Sequence, residues 1–400
     1  MYELCMKKTL KESIFTIHLA KNAAMVTGTI VIIALSFLIC FYTIPILLKI
    51  ANRFSIYDTP NHIKKHNRKI TFLGGVALLI SFIIPASLFM PDEVLKPVYF
   101  NSYLIIITVI FLHGLGDDFF NYAAKRKFTV QIILSSLLIY KTGYYIPLEH
   151  LLTSFNIPES ISFLVTLLSA VAIINAYNLI DGADGLAASF SIIASVFYAY
   201  CLYVDGNIFF SILAMSSAAS LFAFLLYNKP PAHIFMGDSG SLFLGLLLTT
   251  FTFAFIEDAP ASSILSISNR VILAFSFISI PLLDMVRLFV IRIYNRKNPF
   301  SGDNNHIHHL MADIGFTSKQ TLLIIITFQL FNIGIAFLAL GKSWLGFILI
   351  NVCTYIILIQ LLRQIKTFLR QINFRGMAES ATEADNEEIK ETEGKVISGQ

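Results

Sequence analysis

The chain has 400 residues, of which 56% are apolar and 14% are charged, and its formal net charge is +4. A soluble protein carries about 25% charged residues, so the composition excludes an ordinary soluble domain. The small net charge does not indicate a nucleic-acid partner, and apolar runs such as 29–48 lack the alternation of a membrane β-barrel. The sequence therefore predicts an all-α, polytopic bundle of transmembrane helices.

About eleven segments are long and apolar enough to cross a membrane as helices of about 20 residues. In chain order we place them at 25–48, 70–90, 97–116, 128–145, 160–180, 186–204, 208–227, 241–256, 271–293, 322–340 and 344–362. Together they define one transmembrane domain, 25–362.

The two ends of the chain differ from this domain. Segment 1–24 contains four lysines and is expected to be an uncleaved extension, because the apolar run after it is longer than that of a signal peptide. Segment 363–400 is first basic and then acidic. We expect it to be a cytoplasmic tail that is disordered in its acidic part.

Orientation follows from positive charge in the short loops, because cytoplasmic loops carry more Lys and Arg. The even-numbered loops contain only Lys96, Lys141, Arg270 and Lys342. The odd-numbered loops contain Lys49, Arg53, Lys64, Lys65, Arg68, Lys69, Lys125, Arg126, Lys127, Lys229, Arg296, Lys297 and Lys319. We therefore expect the N-terminus outside and the C-terminus in the cytoplasm, although the lysines of 1–24 favour the opposite orientation.

Five polar clusters interrupt the apolar pattern, and each lies in an odd-numbered loop or in the half of a span leading into one. They are Gly114-Leu-Gly-Asp117-Asp118, Asn175-x-x-Asn178-x-x-Asp181-Gly-x-Asp184-Gly185, Phe235-Met-Gly-Asp238-Ser-Gly240, Asp284-x-x-Arg287 and His306-Ile-His308-His309. Their common side of the membrane predicts one assembled site. A solute transporter, the main alternative, would have acids near span centres and at both faces, whereas Asp284 alone is drawn deep into a span.

The carboxylates in these clusters indicate a cation site. Asp117 and Asp118 are adjacent, and like charges so close repel each other unless a cation lies between them. Oxygen ligands from Asp and Asn suit Mg²⁺, which keeps several waters and accepts phosphate oxygens as further ligands. The alternative is helix capping, since Asp and Asn favour helix starts. The accompanying glycines allow the backbone to approach a ligand closely.

The histidines indicate recognition of an anion. His306, His308 and His309 lie close together in a polar loop, where they could donate hydrogen bonds or protons to a diphosphate. Zinc binding, as in an intramembrane metalloprotease, is disfavoured because no cysteine ligand or HExxH pattern accompanies them. A solvated turn remains the alternative. Four cations on the same side suit phosphate recognition: Lys125, Lys127, Arg287 and Arg292.

These motifs, in this order, resemble the polyprenyl-phosphate N-acetylhexosamine-1-phosphate transferases of glycosyltransferase family 4. The resemblance extends from about residue 53 to 316. Asp58-Thr-Pro60-Asn61, Lys64-Lys65-His66 and Gly74-Gly75 resemble the first cytoplasmic loop of the family, and Asp117-Asp118 resembles its acidic pair. The segment 175–186 is similar to its NxxNxxDGxDGL motif, and 306–309 to the HxHH signature of members that use UDP-N-acetylhexosamine. The chain departs from the usual pattern at Thr71, Asn121 and Asn304.

The resemblance implies that a polyprenyl phosphate attacks the β-phosphorus of a UDP-sugar, releasing UMP and starting a lipid-linked cell-surface glycan. It implies a donor of the UDP-GlcNAc type, undecaprenyl phosphate as acceptor, and an inner-membrane enzyme whose site faces the cytoplasm. UDP-MurNAc-pentapeptide or a deoxy-aminosugar is the alternative donor, and a homodimer is compatible with the pattern. The cofactor expected is Mg²⁺, or Mn²⁺ in its place.

The resemblance also assigns roles to residues. Asp238 and Asn178 are the expected metal ligands. The expected catalytic residues are Asp117, Asp118, His306, His308, His309 and Arg292. Asp118 as a covalent nucleophile is a less favoured alternative. The expected substrate-binding residues are Asp181, Asp184, Lys125, Lys127, Asn175 and His66.

Overall fold

The computed structural model describes residues 2–57, 69–91, 94, 98–257, 263, 265–298 and 305–397. Within these ranges the chain is helical, with one isolated parallel β-bridge between Thr71 and Ile234. The helices are α1 (Tyr2–Phe54), α2 (Gly74–Phe89), α3 (Phe100–Phe120), α4 (Ala124–Thr142), α5 (Leu148–Leu151), α6 (Glu159–Ile180), α7 (Leu186–Val204), α8 (Ile208–Asn228), α9 (Gly237–Glu257), α10 (Ile267–Tyr294), α11 (Ile307–Ile314), α12 (Ser318–Leu338) and α13 (Trp344–Ile397). The all-α expectation is confirmed.

Among the described residues, fewer helices qualify as membrane spans by length and composition than the eleven predicted. Each predicted span coincides with a helix, but nine helices of the described ranges, rather than eleven, are long and apolar enough to cross a membrane. The remaining two are α2, with 16 residues, and α4, with 19. The basic residues at the start of α4 and Lys141 near its end make it less apolar than the others.

The helices at the two ends of the chain extend beyond the predicted spans. The backbone of α13 is helical as far as Ile397, where we expected a disordered tail. The expectation considered charge and the lack of aromatics, whereas the segment is also rich in Ala, Glu and Lys, which are strong helix formers. At the other end, α1 begins at Tyr2 and continues through the first span.

Helix α9 lies at the centre of the bundle. Its apolar stretch is buried throughout, and it packs against α2, α3, α6, α7 and α10. Gly245 brings α9 against the backbone of α6, because a Cβ at this position would lie 2.8 Å from Ile174 Cα. The hydroxyls of Thr249 and Thr250 donate to carbonyls one turn earlier, so they stay satisfied in an apolar setting. The middle of α9 is therefore enclosed by neighbouring helices.

Close backbone contacts hold the start of α9 between α2 and α3. The Phe235 N–H donates to the Thr71 carbonyl across 2.8 Å. A Cβ on Gly75 would lie 2.4 Å from the Gly240 nitrogen, and one on Gly114 would lie 2.5 Å from the Asp238 carbonyl oxygen. Two of the glycines that we expected to let the backbone approach a ligand, Gly114 and Gly240, thus lie against neighbouring helices.

The opposite end of α9 carries a buried ion pair. Arg270, at the start of α10, is fully buried and donates two hydrogen bonds of 2.7 Å to the carboxylate of Asp205, just after α7. It also donates to the Phe255 carbonyl and to the Ser263 hydroxyl, both across 2.6 Å. One cation and one anion are matched here, with carbonyl and hydroxyl acceptors for the remaining donors.

Candidate active site at one end of the bundle

Two carboxylates from different helices meet at one ammonium group near the start of α9. Lys127 Nζ, in the first turn of α4, contacts the Asp117 carboxylate at the end of α3. The same Nζ lies 3.1 Å from Oδ2 of Asp238, in the first turn of α9. Asp117 is 2% exposed, so this charge is held at the protein interior rather than at a solvated surface.

The turn between α3 and α4 orients Asp117. Asn121 adopts a left-handed conformation with φ 49°, and its N–H donates to the Asp117 carbonyl across 2.8 Å. The Tyr122 N–H donates to Asp117 Oδ1 across 2.7 Å. Asn tolerates the left-handed region better than most residues, which gives Asn121 a structural role in this turn.

Asn178, in the last turn of α6, completes the contacts of Asp238. Its Nδ2 donates to Asp238 Oδ1 and to Ser241 Oγ, both across 2.9 Å. The two residues predicted as metal ligands, 60 positions apart in the sequence, are therefore direct neighbours. A half-turn of the amide would present its carbonyl oxygen to a cation.

Asp118 occupies a different environment from Asp117. Its two carboxylate oxygens accept the backbone N–H groups of Asp238 across 2.7 Å and of Ser239 across 3.0 Å. These are free N–H groups of the first turn of α9, so Asp118 acts as a cap supplied by another helix. Capping, stated above as the alternative for the aspartates, describes Asp118 in this structure.

The α6–α7 motif makes several contacts within the protein. Asn175 and Gln131 of α4 form a reciprocal amide pair, with Asn175 Nδ2 donating across 2.6 Å. Asp184 accepts the Ala232 N–H across 3.1 Å. Asp181 lies at the end of α6. Gln131 was not among the predicted site residues, and its position inside a span was the available signal.

The histidines lie against the same α6–α7 turn. A Cβ on Gly182 would be 2.7 Å from His308 Nε2, so the imidazole rests on the glycine backbone. The His306 and His308 rings stack with their centroids 5.7 Å apart, and the His308 and His309 centroids are 4.3 Å apart. The three predicted histidines therefore form one group that adjoins the motif containing Asn178.

His308 is held as a neutral imidazole. Burial, with a smaller contribution from the neighbouring His309 and His306, lowers its pKa to about 3. Neither ring nitrogen has a hydrogen-bond partner among the described residues. A neutral ring offers one donor and one acceptor, which suits contact with a polar ligand.

Asp284, which the sequence analysis grouped with the polar clusters but to which it gave no role, contacts His306. Its Oδ2 lies 2.8 Å from His306 Nδ1, and both side chains are buried. The depth of Asp284 in an apolar span was the signal for its importance. Tyr355 of α13, which also contacts Asp284, had no signal in the sequence.

Of the remaining predicted residues, two lie near helix ends and one lies outside the described ranges. Arg292 is buried near the end of α10, and Lys125 is exposed at the start of α4. His66 and the motif 58–66 around it lie outside the described residues, as do Asp303 and Asn304.

The carboxylate group fits a magnesium ion. Within the described ranges no group of three or more His, Cys, Asp or Glu side chains is close enough together to hold a metal ion by itself. Mg²⁺ does not require such a set, because it binds through one or two carboxylates together with waters and substrate phosphates. Asp117 and Asp238 already converge on one positive charge, with the amide of Asn178 beside them.

Comparison with known proteins gives a family match over the central part of the chain. The model of glycosyl transferase family 4 matches residues 100–256, which include Asp117, Lys127, Asn178 and Asp238. A probable undecaprenyl-phosphate N-acetylglucosaminyl 1-phosphate transferase of Bacillus subtilis is 28% identical over 343 residues, covering 83% of this chain and 92% of that protein.

Two further relatives come from other bacterial groups. The undecaprenyl-phosphate alpha-N-acetylglucosaminyl 1-phosphate transferase of Yersinia pestis is 29% identical over 289 residues, covering 69% of this chain and 75% of that protein. The decaprenyl-phosphate N-acetylglucosaminephosphotransferase of Mycobacterium leprae is 29% identical over 314 residues, covering 72% of this chain and 78% of that protein.

Proposed function

The chain belongs to glycosyl transferase family 4 and is a multi-pass membrane phosphotransferase, and on this premise we propose its reaction. It transfers N-acetylhexosamine 1-phosphate, with UDP-GlcNAc as the first donor to test, to undecaprenyl phosphate and releases UMP. The names of the relatives support a polyprenyl phosphate acceptor and an N-acetylglucosamine donor. The observation that carries the proposal is the convergence of Asp117 and Asp238 on Lys127, with Asn178 alongside.

The reaction is a phosphoryl transfer, so charge neutralisation and positioning are its main requirements. An oxygen of the lipid phosphate forms a bond to the β-phosphorus of the donor, and the bond from this phosphorus to the oxygen of UMP breaks. The nucleophile is already ionised near neutral pH, so a strong general base is not needed. The hydrogen bonds that both Asp118 oxygens accept from the start of α9 support a positioning role over a covalent one.

Each residue of the site has a proposed role that follows from its chemistry. Asp238 and Asn178 would hold Mg²⁺, with Asp117 beside them, and the bound ion would neutralise charge on the diphosphate. Lys127 would bind the lipid phosphate, assisted by Lys125 from the same turn. Asp184 would contact the uracil, Asp181 would support the loop, and Asn175 would set the position of α6 through Gln131.

The histidines and Arg292 would bind the diphosphate on the other side. Neutral His308 can donate one hydrogen bond to a phosphate oxygen without adding charge, and Arg292 supplies a permanent positive charge. The concentration of Lys and Arg in the odd-numbered loops supports placing this end of the bundle in the cytoplasm, in the inner membrane. We assign 25–362 to the transferase domain, 1–24 to an extension and 363–400 to a cytoplasmic segment.

The test is UMP release by the purified protein in detergent with Mg²⁺, undecaprenyl phosphate and a panel of UDP-sugars. We expect release with UDP-GlcNAc and its loss in Asp238→Asn. Glu149→Gln is the matched control, because it makes the same carboxylate-to-amide change in the short helix α5, between α4 and α6. Absence of UMP from every donor in the wild type would overturn the enzyme assignment, and normal turnover by Asp238→Asn would overturn the role of this carboxylate.

A further inference from the structure

One histidine of the group is joined to a buried carboxylate. His306 is 5% exposed and Asp284 is 4% exposed, and His306 Nδ1 lies 2.8 Å from Asp284 Oδ2. The following Ile307 N–H also faces this carboxylate, 3.3 Å from Oδ1 and 3.4 Å from Oδ2. Asp284 therefore contacts both the His306 ring and the backbone N–H of the next residue.

The carboxylate is itself held by two further donors. The Tyr355 hydroxyl of α13 donates to Asp284 Oδ1 across 2.7 Å, and Arg287 donates to the same oxygen across 2.9 Å. Tyr355 is 2% exposed. A second contact joins α13 to this region, because Lys366 Nζ lies 2.9 Å from Asp313 Oδ2 on α11. Helix α13 thus contacts both the Asp284 carboxylate and α11, the helix that contains His308 and His309.

We propose that Asp284, held by Tyr355, is a positioning residue that sets the orientation and tautomer of His306. This inference rests on the function proposed above. Because the carboxylate accepts the hydrogen on Nδ1, the neutral ring keeps its lone pair on Nε2, at the far edge of the imidazole. The ring therefore meets the diphosphate with one chosen nitrogen, and it could also donate from that nitrogen after protonation.

The arrangement has the parts that a positioning role requires. The carboxylate lies against Nδ1 and leaves Nε2 as the nitrogen that could face a substrate, as in other histidines oriented by an acid. Its second oxygen is fixed by donors from α10 and α13, so the acid cannot turn freely. The matched family region ends at residue 256, so Asp284, His306 and Tyr355 all lie beyond it.

The first test uses a change that removes one hydroxyl and little volume. We expect Tyr355→Phe to lower kcat for UMP release by about 10-fold, as expected when a hydrogen bond to a charged group is lost, with KM for the UDP-sugar nearly unchanged. Tyr198→Phe is the matched control, since its buried hydroxyl bonds to Thr252 across 3.0 Å in the apolar interior. Equal kcat values for the two variants would contradict the proposal.

The second test asks whether Asp284 acts through His306. Asp284→Asn keeps the shape but presents an amide that can donate to Nδ1, and we expect kcat to fall about 100-fold or more with a small change in KM. In a His306→Ala background the same substitution should cause almost no further loss in single-turnover UMP release, because coupled residues do not act additively. An equal loss in both backgrounds would show a structural role and overturn the inference.

The two proposals fail in different ways. If the wild type releases no UMP from any donor, the proposed function is wrong. If the wild type is active but Tyr355→Phe and Tyr198→Phe have equal kcat, only the positioning inference is wrong. The same holds if Asp284→Asn causes an equal loss with and without His306. Should Asp284→Asn fail to fold, as a buried site allows, the comparison of Tyr355→Phe with Tyr198→Phe decides the outcome alone.

Discussion

A charged group lies at each end of α9, but the charges in the two groups are arranged differently. At the C-terminal end, Arg270 and Asp205 form a bidentate pair of one cation and one anion. At the N-terminal end, Asp117 and Asp238 share the single ammonium of Lys127, so negative charge exceeds positive charge in this group. The first arrangement is electrically complete, whereas the second has capacity for a further cation.

The difference separates a structural group from the proposed ligand site. A buried ion pair whose charges balance and whose donors are all satisfied does not attract a further ion. A group with an excess of carboxylates attracts a cation, and the group at the start of α9 lies beside the histidines that suit a diphosphate. The comparison also bears on the transporter alternative, which requires acids at both faces. Asp205 is an acid at the far face, but Arg270 holds both of its oxygens.

The largest effect is expected from breaking the ion pair at the C-terminal end. Arg270→Met leaves the Asp205 carboxylate buried without its partner, which should cost about 3–5 kcal/mol of unfolding free energy. The double variant Arg270→Met with Asp205→Asn removes both charges and should recover part of this loss. Thermal and denaturant unfolding in detergent would measure it. If Arg270→Met is as stable as the wild type, the ion pair does not stabilise the fold, and the contrast between a structural group at this end and a ligand site at the other end is wrong.

A smaller effect is expected from separating α3 and α9 at the site. In Gly114→Ala the new methyl would lie 2.5 Å from the Asp238 carbonyl oxygen, so backbone must shift. Overpacking of this kind costs about 1–3 kcal/mol, and the displaced Asp117 and Asp238 should also lower UMP release. Gly334→Ala in α12 is the control, since no atom lies within 4 Å of its added Cβ. Equal activity of the two variants would contradict the close fit of α3 and α9.

The effect that is smallest near neutral pH is a pH dependence of stability from His308. Its pKa is about 3 in the folded protein and 6.5 for a free histidine, so the unfolded chain binds a proton first. The stabilising contribution is complete above pH 6.5 and is lost as pH falls toward 3, by about 1.4 kcal/mol per pH unit in that window. Thermal unfolding of the wild type and His308→Asn should therefore converge at acid pH, and His150→Asn, at an exposed histidine, should follow the wild type. Parallel curves for the wild type and His308→Asn would contradict the buried neutral ring.

Much of the fold follows from sequence because hydropathy reports whether a segment is in lipid. Predicted span 186–204 has the same bounds as α7, and each of the other predicted spans lies within or overlaps a helix. The polar clusters could also be assigned to one end, since loop charge gives orientation. The number of spans stays a prediction, because α2 is short and α4 is polar for a spanning helix.

Side-chain partners between helices could not be predicted in the same way. They depend on how each helix is rotated about its axis and on how closely neighbouring helices approach each other. The apolar pattern of the sequence does not determine either quantity. Asp117 and Asp118 are adjacent and chemically identical, yet one contacts Lys127 and the other caps α9. The contacts of Asp284 with Tyr355 and of Asn175 with Gln131 join residues 71 and 44 positions apart, which local patterns cannot connect.

The central claim is that carboxylates from α3 and α9 together form a divalent-cation site. Binding of Mn²⁺ to the purified protein, followed by electron paramagnetic resonance, tests it without requiring turnover. We predict that Asp238→Asn abolishes binding, that Asp117→Asn weakens it, and that Glu149→Gln binds like the wild type. Unchanged Mn²⁺ affinity in both Asp238→Asn and Asp117→Asn would contradict the account.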